Sequence, residues 1–273
     1  MTVLNVFQRT LESLPFRGKG RLADFIIDSF KPSELKCRPV PNATILLRPD
    51  QSIERWMWAG AYERELLGLF KTMLKPGMTV LDMGANIGYF SAVAAALVGK
   101  TGTVHAFEPV RETFTRLESN LQPFPWAHAY QAAVGDYSGT AVIHFNDRET
   151  GWGSLLANYD LPLSEETILV CLDDWLKREN VGPVDFVKID IEGQEYRALL
   201  GGAEMLRNQR PTIAAELNDA CLRRDQRRPQ DVLSLLQSAE YLTFSFNNGV
   251  LAIPQENESI LGRLRPYLKK PFT

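Results

Sequence analysis

Apolar positions along the chain fall at two spacings, and these divide it into a helical leading region and a longer alternating remainder. Over residues 1 to about 45 the spacing is helix-like. Phe7, Leu11 and Leu14 are followed by Leu22, Phe25 and Ile26, with interruptions at Pro15 and Gly18 and an end near Pro32. Ile45, Leu46 and Leu47 predict a short strand before the Arg48-Pro49-Asp50 break. From Ser52 to Leu74 the helical period returns, with Trp56, Tyr62, Leu66, Leu69, Phe70 and Met73 as inward positions. Gly60 weakens the middle of that stretch.

Strands and helices then alternate. Strands are expected over 78–83, 103–107, 128–134, 140–145, 167–172, 186–191 and 212–216, and helices over 87–98, 112–121, 196–206 and 232–238. A long polar loop, 146–162, separates two of the strands. Helices of this length between strands imply parallel pairing through right-handed crossovers, hence an α/β, doubly wound sheet covered on both faces. The pieces Leu242–Phe244 and Val250–Ala252 flank Asn247-Asn248-Gly249, a hairpin signal that puts one antiparallel strand in the edge region of a mostly parallel sheet.

Composition narrows the function class. Apolar residues make up 45% and charged residues 23%, as in an ordinary globular protein, and a formal net charge of -3 does not advertise a nucleic-acid binder. Cys37, Cys171 and Cys221 are far apart and odd in number, which favours a reducing compartment and gives no metal-ligand spacing. The start, MTVLNVFQRTLESLPF, lacks a continuous signal-peptide core, and the richest apolar run, Tyr89 to Val98, is half of what a spanning helix needs. A cytoplasmic enzyme without a transmembrane segment is expected; its oligomeric state is left open.

The strongest chemical signal is the strand and turn Val80-Leu81-Asp82-Met83-Gly84-Ala85-Asn86-Ile87-Gly88. Gly84 and Gly88 would let backbone approach a ligand at the carboxyl end of a strand, where open α/β sheets bind. A dinucleotide loop would read Gly-x-Gly-x-x-Gly. Here Asn86 stands at the second glycine and Asp82 precedes the turn, which suits a cationic ligand better than a pyrophosphate. Asn86 is also expected to cap the following helix. Glu108 ends the next strand, 20 residues after Gly88, the offset at which a carboxylate meets ribose hydroxyls. Val134 and its small neighbours leave room for a flat base.

A second unusual stretch runs from Asp185 to Glu195. Strand periodicity puts Lys188, Asp190 and Glu192 on one face, which is costly in a buried sheet unless they pair or face a cavity. Asp190, Glu192 and, from the next strand, Glu216 are the candidates to orient or deprotonate an acceptor hydroxyl. The alternative is an ion pair centred on Lys188 that stitches the sheet. Asp173, Asp190 and Glu216 are the oxygens that a magnesium ion would find, but no metal site is expected.

These segments, with Phe107-Glu108-Pro109, resemble the FkbM family of S-adenosylmethionine-dependent methyltransferases over roughly residues 60–255. The resemblance implies a seven-stranded, Rossmann-like class I methyltransferase sheet, with S-adenosyl-L-methionine held at Asp82, Gly84, Asn86, Gly88 and Glu108. It also implies O-methylation of a hydroxyl on a natural product, sugar or glycan, with Asp190 and Glu192 near the transfer centre and Leu172-Asp173-Asp174-Trp175 as a structural feature. The expected division is an amino-terminal extension over 1–50, the methyltransferase domain with its leading helix over 51–255, and a tail over 256–273. The competing functions are a nicotinamide-dependent oxidoreductase and a noncatalytic S-adenosylmethionine-binding module. The 146–162 loop, with Trp152 and Tyr159, could cover an acceptor, Trp152 either stacking on a sugar or pinning the loop to the protein. The arginines at 223, 224, 227 and 228 form a solvated helix-flanking face or receive an acidic acceptor.

Overall fold

The computed structural model describes residues 3–13, 18–146, 153–156 and 161–268. Helices α1 (Val3–Ser13) and α2 (Lys19–Phe30) lead into an antiparallel hairpin of β1 (Leu35–Val40) and β2 (Ala43–Leu47). The expected strand at Ile45–Leu47 is present. Its partner escaped the pattern because Lys36, Arg38 and Pro39 interleave the apolar face of Leu35, Cys37 and Val40.

The single helix expected over Ser52–Leu74 is two, α3 (Ser52–Trp58) and α4 (Arg64–Met73). Gly60 and Glu63 both take left-handed backbone, φ 62° and 38°, which breaks the helix and starts the next. Trp56, expected inward, is 45% exposed and lies over Gly20, whereas Trp58 is buried.

The alternating region begins with β3 (Thr79–Met83), α5 (Tyr89–Val98), β4 (Thr103–Phe107), α6 (Arg111–Leu121) and β5 (Ala127–Tyr130). The strand expected over 128–134 is interrupted at Gln131. Its second half, β6 (Ala132–Gly135), joins another sheet with β7 (Gly139–Phe145), β8 (Gly153–Ser154) and β9 (Leu163–Cys171), in the order β6-β9-β7-β8. Alternation along a strand cannot report a change of partner: β5 pairs with β4, and β6 pairs with β9. Next come α7 (Leu172–Arg178), β10 (Phe186–Ile189), α8 (Glu195–Gly201), α9 (Ala203–Asn208) and β11 (Thr212–Glu216). Helices α10 (Asp219–Leu222) and α11 (Pro229–Ser238), the hairpin β12 (Tyr241–Phe246) and β13 (Gly249–Pro254), and α12 (Leu261–Leu264) complete the order.

The main sheet has seven strands in the order β12-β13-β11-β10-β3-β4-β5. Strands β11, β10, β3, β4 and β5 are mutually parallel, and β13 runs antiparallel to both β11 and β12. This is the doubly wound, Rossmann-like class I sheet that was expected, its antiparallel strand one place in from the edge. Chain order reverses between β3 and β10, so the ligand crevice of such a sheet lies beyond their carboxyl ends.

Two apolar layers cover the sheet. One joins α5 and α6 to α2, the β1–β2 hairpin, α4 and Leu264. The other joins Trp175 of α7 to residues of α8, α9 and α11. A buried ion pair ties α3 to α6: Arg116 donates to both oxygens of Glu54, at 2.5 and 2.6 Å, and the Arg48 amide donates to the same carboxylate at 2.6 Å. Among the described residues no helix is long and apolar enough to cross a membrane.

Candidate active site

A cavity of about 480 Å³ opens beyond the carboxyl ends of β3, β4, β10 and β11, within the size range of small-molecule sites. Seven of the nine residues expected there line it: Gly84, Asn86, Glu108, Val134, Asp190, Glu192 and Glu216. Asp82 and Gly88 do not.

The turn after β3 folds as it does because Gly84, Asn86 and Gly88 all adopt positive φ, 77°, 50° and 87°. The two glycines are demanded by the protein itself. A Cβ at Gly84 would lie 1.8 Å from the Asp190 carbonyl oxygen, and one at Gly88 would lie 2.7 Å from Leu117 Cδ1. Gly88 therefore packs directly against α6. Asn86 does not cap α5 as expected, since Gly88 holds that position and Asn86 Oδ1 accepts from the adjacent Ile87 amide at 2.7 Å. Instead the Asn86 amide donates to Glu108 Oε2 at 3.0 Å.

Asp82 was expected to face the ligand. It is 1% exposed and sits behind the turn, accepting from the Ser91 hydroxyl of α5 at 2.6 Å. Its other oxygen is 3.2 Å from Lys188 Nζ, which also lies 3.4 Å from Asp190 and donates to the Gly84 carbonyl at 3.0 Å. Burial opposes the charge of Lys188, but Asp82 and Asp190 outweigh it and hold the ammonium above the ordinary lysine range. The stitching ion pair thus exists together with the cavity-facing carboxylates, and one lysine serves both.

Three charges on one strand face is not what forms. Strand β10 ends at Ile189, and only Lys188 belongs to it; Asp190 and Glu192 lie in the turn that follows, with Glu192 at φ 52° and Gly193 at 104°. Glu195, buried at the start of α8, ties that turn by accepting from the amides of Ile191 and Gly193 at 3.3 and 3.1 Å. The Cys221 thiol donates to Glu192 at 3.2 Å.

The carboxyls are perturbed. Burial pushes Glu108 up to about 7 against the opposing pull of the Val110 and Asn86 amides. Burial, then the charge of Asp190 and a hydrogen bond with it, push Glu216 up to about 9. Burial and then Asp190 also raise Glu192 and Glu63. A carboxyl with a raised folded value binds its proton more tightly when folded, so its contribution to stability falls as pH rises from about 4.5 to about 9. Glu216→Gln removes that loss. The thermal midpoint of the variant should gain on the parent as pH is raised across this window, and a constant difference between the two would refute the assignment.

The short strand β8 roofs the site. Ser154 is buried and donates to the Glu192 carbonyl at 2.9 Å, and Leu155 and Leu161 line the cavity. Trp152 and Tyr159 lie outside the described residues. Of the arginine group, Arg223 pairs with Asp219, Arg227 stacks over Tyr196 and Arg224 lines the cavity. Asp173, considered as a magnesium ligand, accepts from the Glu204 and Met205 amides at the start of α9 and so serves the fold. Trp175 packs on Phe107, Tyr130 and His105, which gives the Leu172–Trp175 segment its structural role.

Glu63 was not foreseen as a site residue, and Tyr62 was expected as an inward position of a helix. Both line the cavity, where Glu63 accepts from the Asn247 side chain. No local motif marks them, because the helix break that aims them is itself a tertiary event.

The methyltransferase FkbM domain family matches residues 82–243. The chain is 28% identical over 204 residues to the 2-O-methyltransferase NoeI of Sinorhizobium fredii, covering 68% of this chain and 81% of that protein. It is 28% identical over 176 residues to the 31-O-demethyl-FK506 methyltransferase FkbM of Streptomyces tacrolimicus, covering 54% and 67%. A crystal structure of methyltransferase FkbM from Methylobacillus flagellatus aligns at 15% identity with a TM-score of 0.44, over 73% of this chain and 53% of that one.

Proposed function

The chain belongs to the methyltransferase FkbM family and is an S-adenosylmethionine-dependent methyltransferase, and from that premise we propose that it methylates a hydroxyl oxygen of a sugar, glycan or natural product. The observation that carries the reading is the meeting of Glu108 with Asp190, Glu192 and Glu216 in one cavity at the switch point of the sheet.

The residues present fit the donor. Each Glu108 oxygen accepts one backbone amide and keeps a lone pair for a ribose hydroxyl. Ala132, Ala133 and Val134 offer a small apolar face for the base. Gly84 and Asn86 would hold the methionine end, and Asp82 would support that turn from behind through Lys188. When bound, S-adenosylmethionine supplies a methyl group on a cationic sulfur, open to attack by an oxygen. Of the cavity's carboxyls, Asp190 suits that positive charge.

On the acceptor side the chain's task is to place a hydroxyl and take up its proton. Glu216, held protonated at neutral pH, donates rather than accepts there. Asp190, ion-paired with Lys188, is the acceptor of the hydroxyl proton, and Glu192 steadies the same group. The buried Glu195 carboxyl fixes the turn that carries both. Orientation of the attacking oxygen contributes as much here as basicity. Three thiols outside any disulfide support a cytoplasmic location.

Incubation with isotopically labelled S-adenosylmethionine and a host metabolite extract, followed by identification of the labelled product, tests the reading; label on nitrogen or carbon alone would overturn it. Asp190→Asn should slow transfer by about 100-fold while affinity for S-adenosylhomocysteine, followed by calorimetry, is kept. Unchanged turnover would remove Asp190 from the proton path.

A further inference from the structure

The cavity is larger than the segment that the family shares. Gly84, Asn86, Glu108, Val134 and the carboxylates at 190, 192 and 216 all fall within the matched residues 82–243. Another part of the lining falls outside them: Ile53, Met57, Tyr62 and Glu63 from α3 and the corner before α4, Phe246 at the end of β12 and Asn247 in the turn that follows. We propose that this wall is the acceptor subsite, and that it takes a hydroxylated ring with one apolar face. The inference rests on the methyl-transfer reading above and adds where the acceptor sits and what shape of molecule it is.

Two flanks far apart in sequence meet in this wall. Asn247 donates from the hairpin turn to the Glu63 carboxylate. That uses one of about four lone-pair positions on a carboxylate and leaves the others for hydroxyl donors. Glu63 belongs to the polar end where chemistry is expected. Burial and then Asp190 raise its carboxyl, and Glu63 in turn adds to the rise at Glu216. Tyr62 is edge-on to Tyr89 at 5.5 Å, and burial, then the charges of Asp190, Glu63 and Glu216, raise its phenol well above the usual tyrosine value. Beside this polar end the half-buried Ile53, backed by the buried Met57 and Phe246, offers apolar surface. A ligand that satisfies both halves carries hydroxyls on one edge and C–H groups on a face, which describes a sugar ring or a hydroxylated macrocyclic ring.

Glu63→Gln and Asn247→Gly in the full chain test the wall. Glycine suits the second position because Asn247 already sits at φ 49°, so the turn is kept and only the amide is lost. Affinity for S-adenosylhomocysteine is read by calorimetry, and steady-state kinetics are read on two acceptor sets, neutral glycosides and hydroxylated macrolactones. For the set that the parent enzyme methylates, Glu63→Gln should raise KM by about 10- to 100-fold, with the loss falling on KM more than on kcat and nucleoside affinity held. Asn247→Gly should act in the same direction, and carries the test alone if Glu63→Gln fails to melt cooperatively. A parallel loss of S-adenosylhomocysteine affinity would assign the wall to the donor and overturn the proposal, as would an unchanged KM in both variants. A parent enzyme that methylates no hydroxyl in either set or in extract sinks the transfer reading itself; normal parent activity with indifferent variants sinks only the wall.

Discussion

Replacing Gly84 with alanine is expected to abolish methyl transfer and lower stability by about 2–5 kcal/mol. Two penalties add. The residue holds φ 77°, where a side chain strains the backbone, and the new Cβ would lie 1.8 Å from the carbonyl oxygen of Asp190. Because the obstacle is main chain, no rotamer change relieves it. The β3 turn and the β10 turn have to separate, and with them go the Lys188 contact to the Gly84 carbonyl and the placement of Asp190. For a domain of this size the thermal midpoint should fall by about 5–15 °C. Scanning calorimetry and a labelled-methyl assay measure the two effects. A variant that melts and turns over like the parent would show that the two turns are not in contact in solution.

The second large effect lies far from the chemistry. Glu54→Ala should destabilise the protein by about 3–5 kcal/mol, because it strands the Arg116 guanidinium in a mostly buried position and removes the acceptor of the Arg48 amide. Glu54 has no exposed surface, so water cannot replace it. The double change Glu54→Leu with Arg116→Leu should recover much of the loss, since two apolar side chains leave no buried charge unpaired. Urea melts of the single and double variants decide it. Equal melts for Glu54→Ala and the parent would mean that α3 is not anchored to α6 by this pair.

How far the sequence could be read depends on how local each feature is. The turn from Asp82 to Gly88 and the distance to Glu108 are set within a short stretch of chain, and their place beyond the strand ends follows from the alternation of strands and helices. Direction is a different matter. Asp82 turns towards Ser91 and Lys188, and nothing in its neighbours along the chain says so. The change of sheet at Gln131 is hidden for a similar reason, because both halves of that stretch keep one alternation while their partners differ. Asp190 and Glu192 reach the cavity as expected but from a turn rather than a strand, since the positive φ at Glu192 depends on Gly193 and on the carboxyl of Glu195. Glu63 was illegible because Gly60 reads only as a weak point in a helix, whereas the break it permits aims the next residues inward.

The burial of Lys188 has one more consequence. Mobile ions act on charges they can approach, and surface pairs such as Lys177 with Glu204 fade as ionic strength rises. Lys188 is 4% exposed and flanked by Asp82 and Asp190, so dissolved salt has almost no access to it. The electrostatic frame between the two central strands should therefore be the same in dilute buffer and in brine.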